Sequence, residues 1–167
     1  ISGAPGAGKT TLAARLTRSG FGYGGDDVVL VTPDGQAAGV PLAPAVKSGA
    51  WGMVREFYPD LEQAEVHRRP DGKSVRYLDL PQQASDARHP VGWIVFIRRT
   101  GGPANLKPLA PMEALSLIME GSYFAGGRTD RKTFKSLVRA VASASVFELT
   151  FSDLNEANDA IVRLCDG

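Results

Sequence analysis

The sequence predicts an α/β domain, a mixed β-sheet with helices packed against it, and three observations carry that expectation. A glycine-rich turn opens directly into an amphipathic helix near residue 9. Two hairpin-like segments follow. A long apolar run, VGWIVFIRR, is then succeeded by two helical patterns, a strand and a last helix. The 167 residues are the size of one domain, and 43% hydrophobic with 22% charged residues is the balance of a globular protein with a real core. A formal net charge of +1 gives no reason to expect nucleic acid or an anionic membrane as partner. The lone Cys165 permits no intrachain disulfide, which fits a reducing cytoplasm. No apolar run approaches the ~18 residues that span a bilayer, and neither a signal peptide nor an internal repeat is visible.

The first element is the stretch GAPGAGKTT, residues 3–11. Gly3, Gly8, Lys9 and Thr10 satisfy G-x-x-x-x-G-K-[ST], and Gly6 adds another unhindered position. Glycines let successive N–H groups turn toward phosphate oxygens. The lysine is a mobile point charge for the β and γ phosphates, the threonine hydroxyl is a magnesium ligand, and the helix that begins here offers its positive end to an anion. Residues 3–11 (Gly3, Ala4, Pro5, Gly6, Ala7, Gly8, Lys9, Thr10 and Thr11) are therefore the candidate nucleotide-phosphate cradle, with a Gly/Ala-rich turn as the plain alternative. Leu12 and Leu16, one turn apart, give the following helix a buried face, with Arg15 and Arg18 left to solvent.

Gly20 is expected to stop that helix, and FGYGGDDVVLVT reads as one or two strands around a glycine-rich bend. PDGQ is a turn, so AAGVPL returns as a hairpin partner. Trp51, Val54, Phe57 and Tyr58 have helical spacing up to Pro59, and VHRRPDGKSVRYLDL reads as a second hairpin around PDGK. QQASDARHP is a polar loop. VGWIVFIRR is expected to be a central strand covered on both faces, and GGPANLKPLAP an extended connection. Pro111 opens a helix with Leu115, Ile118 and Met119 on one face. The next helix carries a stripe of Phe134, Leu137, Val138 and Val141 opposite Arg131, Lys132, Lys135 and Arg139. VFELTFS is a strand. Asp153 and Glu156 are spaced as a capping box for a last helix that buries Leu154, Ala157, Ile161 and Leu164.

A second constellation is the pair Asp26 and Asp27, with Asp26 17 positions after Lys9. If the strand after the loop helix lies beside the loop's own strand, the pair arrives next to the phosphates. Neighbouring strand residues face opposite sides, so both acids turn inward only where the backbone bends, and Gly24 with Gly25 supplies that bend. The chemical use is a division of labour: one carboxylate holds magnesium and the other accepts a hydroxyl proton. A solvated Asp-Asp turn is the alternative.

The run GAPGAGKTTLAARLTRSGFGYGGDDVVLV resembles the core of the HPr kinase/phosphorylase family, which shares its nucleotide-binding core with phosphoenolpyruvate carboxykinases. The likeness is specific over residues 3–32 and looser through GVPLAPAVKSG, VGWIVFIRR and FELTFSDLNEA. It implies a single phosphate-loop kinase domain of the phosphoenolpyruvate carboxykinase-like kind over 1–167, a divergent and N-terminally truncated member lacking the histidine-bearing strands that precede the loop in that family. It further implies ATP and Mg²⁺ as cofactors, Lys9 and Thr10 handling phosphates and magnesium, Asp26 as the catalytic base and Asp27 as a metal ligand. The activity implied is transfer of the γ-phosphoryl group to a hydroxyl of a protein or peptide serine or a small molecule, within an assembly that related kinases build as rings. The family's Glu-Arg-Gly-rich signature has no counterpart in PLAPAVKSGAWGMV, so neither the reverse reaction nor HPr as acceptor is implied. Lys47 in that stretch is a catalytic candidate near the phosphates. Two other classes remain open: an ATP-binding regulatory module without phosphotransfer, and a phosphate-loop ATPase.

Arg98 and Arg99 end the expected central strand, where open α/β sheets place ligands, so one of them is a candidate to neutralise a transferring phosphoryl group. A salt-bridged edge explains them equally well. His67 and His89 lack metal-ligand companions and read as surface residues. Trp51 and Trp93 read as packing residues. Arg68 with Arg69 and the basic face of residues 128–139 suit an acidic partner or a solvated surface.

Overall fold

The computed structural model describes residues 1–80, 88–123 and 129–166. Its centre is a three-stranded sheet of β6 (Trp93–Arg99), β8 (Ser145–Phe151) and β7 (Asn105–Pro108), with β8 in the middle, parallel to β6 and antiparallel to β7. β6 is extended on its other side by Ser2, whose N–H donates to Val95 O and whose carbonyl accepts from Ile97 N, both at 2.8 Å in a parallel bridge. The residue entering the glycine-rich turn is thereby tied to the apolar strand, which has neighbours on both edges.

β6 alternates between two cores, as a strand covered on both faces must. Val95 and Ile97 join Leu149 and Phe151 of β8 against α1 (Lys9–Thr17) and α5 (Leu154–Asp166), through Leu12, Leu16, Leu154, Ala157 and Ile161. Phe96 and Val146 face the other way, onto α3 (Pro111–Gly121) and α4 (Arg131–Ser143), through Ala114, Leu115, Leu137 and Val141. A third cluster lies beneath the small antiparallel sheet of β3 (Ala45–Lys47), β5 (Ser74–Tyr77) and β4 (His67–Arg68). There Val46 packs with Val54 of the short α2 (Trp51–Val54), Leu61, Leu78, Leu80, Tyr23 and Ala14 of α1. Helix α1 thus has a buried side chain in two of the three cores.

The remaining pair, β1 (Val29–Val31) and β2 (Ala37–Gly39), is the expected hairpin around PDGQ, with Val31 opposite Ala37. It forms its own two-stranded sheet, so among the described residues the strands assemble as three small sheets and not as one mixed sheet.

Four local expectations change. The extended connection contains a strand, β7, because its carbonyls and amides complete the free edge of β8. Residues 45–47, in which no strand was expected, form β3 by pairing with β5. The stripe on α4 is rotated: Leu137, Ala140 and Val141 are buried, while Phe134 and Val138 are exposed. The capping box is half made. Asp153 Oδ1 accepts from the N–H groups of Asn155 and Glu156 at 2.8 and 3.0 Å, but Glu156 turns outward to accept from Ala104 N at 2.8 Å, a neighbour that no local pattern reveals. The polar loop QQASDARHP lies mostly outside the described residues, at 81–87.

Candidate functional site

Gly8 stands at the N-cap of α1 with φ 98° and ψ 18°, a left-handed conformation that costs glycine nothing. Among the described residues no side chain caps this end, and no acidic residue occupies the first turn, which suits the first N–H groups of α1 to an external acceptor. Lys9 folds back over the turn, donating to the carbonyls of Gly3 at 2.8 Å and Ala4 at 3.2 Å. Ala4, Pro5 and Gly6 are exposed at the rim, while Thr10 and Thr11 are half-buried.

Thr10 Oγ1 donates to Asp26 Oδ1 at 2.7 Å, and the other carboxylate oxygen accepts from Ala45 N at 3.2 Å. Asp26 therefore bridges the first turn of α1 and the start of β3. The route differs from the one expected. The strand next to the loop's entry is β6, and Asp26 reaches Thr10 from the bend that leads into β1. Asp27 is exposed, so the backbone bend turns one of the two acids inward.

What holds that bend is backbone-to-backbone contact. A Cβ on Gly39 of β2 would overlap Gly24 O, and one on Gly25 would sit 2.6 Å from Val40 O, so the segment leading into the acids lies flush on the end of β2. Below it, Tyr23 packs with Ala14 of α1 and Val46 of β3, under the same two elements that Asp26 joins. The Tyr23 hydroxyl is buried without a hydrogen-bond partner among the described residues. Burial first, then the carboxylates of Asp26 and Asp27, pushes its phenol well above the ordinary tyrosine value.

Lys47 is exposed at the end of β3, two residues beyond Ala45 and on that residue's face of the strand. The arginines at the end of β6 both have structural partners. Arg98 pairs with Glu148 at 3.2 Å, and Arg99 donates to Ser152 O at 2.8 Å. His67 stacks edge-on against Tyr77, His89 pairs through its backbone with Ala37, and both are exposed. Trp51 donates from Nε1 to Val46 O at 2.8 Å beneath the Arg76 guanidinium, whereas Trp93 is half exposed. Sequence reasoning missed Ala45, which acts through its main-chain N–H, and Gly39. A glycine at the end of the returning hairpin strand was the one available signal for the latter.

Among the described residues no group of three or more His, Cys, Asp or Glu side chains is arranged to hold a metal ion. No helix among them is long and apolar enough to cross a membrane. Compared with protein-family models, curated proteins and solved structures, the chain matches none. What the fold and site define together is a mixed α/β protein in which a glycine-rich turn, a lysine, a threonine and an aspartate converge at the start of one helix.

Proposed function

We propose that this protein is a magnesium-dependent, ATP-using kinase of the HPr-kinase-like kind, transferring the γ-phosphoryl group to a hydroxyl of a protein, a peptide or a small molecule. The observation that carries the reading is the 2.7 Å hydrogen bond from Thr10 to Asp26 at the foot of the glycine-rich turn. In phosphate-loop enzymes the loop threonine and one aspartate share the metal. Thr10 and Asp26 are two hard oxygen donors of that kind, and magnesium takes one or two protein oxygens and completes its shell with phosphates and water. Bound there, it would neutralise phosphate charge. The lysine, now on the Gly3 and Ala4 carbonyls, would exchange them for phosphate oxygens.

In the transfer, the acceptor oxygen bonds to the γ-phosphorus as the bond from that phosphorus to the β,γ-bridging oxygen breaks. ADP leaves with the electron pair, and the hydroxyl proton passes to a carboxylate. The family resemblance gives that proton to Asp26. Both oxygens of Asp26 are already engaged, by Thr10 and by Ala45 N, which favours Asp26 as the metal-organising acid and the exposed Asp27 as the proton acceptor. Lys47 on β3 is the further cation we assign to the phosphates.

The test is label transfer from γ-labelled ATP to acceptors in a lysate, run beside nucleotide binding. Lys9→Ala abolishes turnover. Asp27→Asn keeps Mg-ATP binding and loses transfer by about 10²–10⁴-fold, whereas Asp26→Asn loses the magnesium dependence of binding. The opposite pattern, with Asp26→Asn binding normally but not transferring, restores the roles that the resemblance implies. Mg-ATP binding with no labelled acceptor in the wild-type lysate makes the protein a nucleotide-binding regulatory module.

A further inference from the structure

The strand that follows the acid pair is the barest apolar segment in the described chain. Val29 and Leu30 of β1 are 59% and 57% exposed, and Val28 is 47% exposed. Among the described residues β1 has one hydrogen-bonded neighbour, β2, so its other edge presents unpaired N–H and C=O groups. Where β1 runs into the turn, at its end away from the acids, a groove of about 370 Å³ lies between the hairpin and α4, walled by Val31, Pro33 and Leu137 and by the cations Lys132, Lys135 and Arg139. Among the described residues no carboxylate lines it. Asp34 nearby accepts from the Thr32 hydroxyl at 2.6 Å, and Asp130 is occupied in capping α4 through Thr133 N at 2.7 Å. Arg139 is held by Pro33 O, while Lys132 and Lys135 form no ion pair among the described residues.

A free strand edge beside a cationic, apolar-walled groove suits one mode of recognition: an extended segment adds to the edge through its main chain and sets alternate side chains into the groove. The charge of the groove selects acidic side chains. Position supplies the rest. Asp27 precedes Val29 by two residues, roughly 7 Å along an extended chain, so a residue just past the paired stretch comes level with the acids. Resting on the kinase reading above, we propose that the acceptor is a serine or threonine in an extended, acidic peptide segment that docks on the free edge of β1, with its carboxylates on Lys132 and Lys135.

The probe is a synthetic decapeptide of alternating valine and glutamate carrying one serine, compared with the same peptide bearing lysine for glutamate. Binding to the full chain is read without nucleotide by fluorescence anisotropy and by hydrogen exchange at residues 28–31, and transfer with Mg-ATP. The acidic peptide binds, protects residues 28–31 and accepts label, and its affinity falls about tenfold or more in Lys132→Glu/Lys135→Glu and with added salt. That variant still binds Mg-ATP as the wild type does. Equal affinity in the charge-reversed variant, equal binding of the lysine peptide, or no protection at residues 28–31 overturns the docking proposal. So does protection without peptide in a self-associated species, which makes a second copy the occupant. Failure of the wild type to bind Mg-ATP overturns the kinase reading instead, since peptide docking is measured in its absence.

Discussion

The two halves of the candidate site meet at a single hydrogen bond but are held in place by different means. The half built on the glycine-rich turn is anchored in the core: Ser2 is stitched to β6, and α1 buries Leu12 at 0% exposure against Leu149 and Phe151. The half built on Asp26 and Asp27 has no comparable apolar anchor of its own past Tyr23, since residues 28–31 lie on the surface. It is fixed by backbone lying on backbone at Gly24 and Gly39, by the Thr10 hydroxyl and by the Ala45 amide. Packing fixes position through many small contacts and tolerates little loss of volume. A polar and glycine-lined seat depends on a few contacts, and single atoms displace it.

That contrast orders the expected effects of substitution. The largest loss of stability comes from the packed half: Phe151→Ala or Leu12→Ala costs about 2–5 kcal/mol in chemical denaturation, through lost burial plus the cavity left behind. A loss below about 1 kcal/mol would mean that the turn is not seated on the core as described. Gly39→Ala acts on the other half. Its methyl overlaps Gly24 O and pushes the acids out of register, so overpacking costs about 1–3 kcal/mol and transfer falls by about 10²-fold as the reacting groups move by an ångström. Unchanged transfer in a folded Gly39→Ala protein would remove the backbone seat from the account.

Thr10→Val is milder for stability, about 0.5–1.5 kcal/mol, because Asp26 keeps its Ala45 partner and is half-buried. The same change removes the oxygen proposed for magnesium, and nucleotide affinity that falls only when magnesium is present is the expected signature. Smallest of all is Arg98→Ala. The Arg98–Glu148 pair is solvent-exposed at 63% on the arginine side, so its loss costs no more than about 1 kcal/mol and leaves transfer unchanged. A collapse of transfer there would return Arg98 to the list of phosphate-neutralising residues.

The packed half was also the legible half. A helix with Leu12 and Leu16 one turn apart, an unbroken apolar run for β6, and Pro111 opening α3 are statements that local sequence makes about burial and backbone angles, and each is met. The acid pair was legible as a motif but not as a geometry. Which acid turns toward Thr10 depends on a strand, β3, whose three residues carry no period of their own and which exists because β5 pairs with it. The seat itself is made by a main-chain N–H and by the absence of side chains at Gly25 and Gly39, neither of which leaves a side-chain pattern to read. The stripe on α4 failed for a related reason. Its apolar spacing allowed two rotations about the helix axis, and packing on Phe96 and Val146 selected the one that buries Ala140 and leaves Phe134 outside.

Calorimetric titration of the intact protein with ATP, with and without magnesium, in the wild type and in Asp26→Asn, addresses the central claim most directly. Convergence of the loop and one carboxylate on a metal-bound triphosphate predicts that magnesium strengthens binding to the wild type and that Asp26→Asn abolishes the strengthening while leaving metal-free binding in place. Equal gains from magnesium in both proteins, or no binding by the wild type, would contradict it.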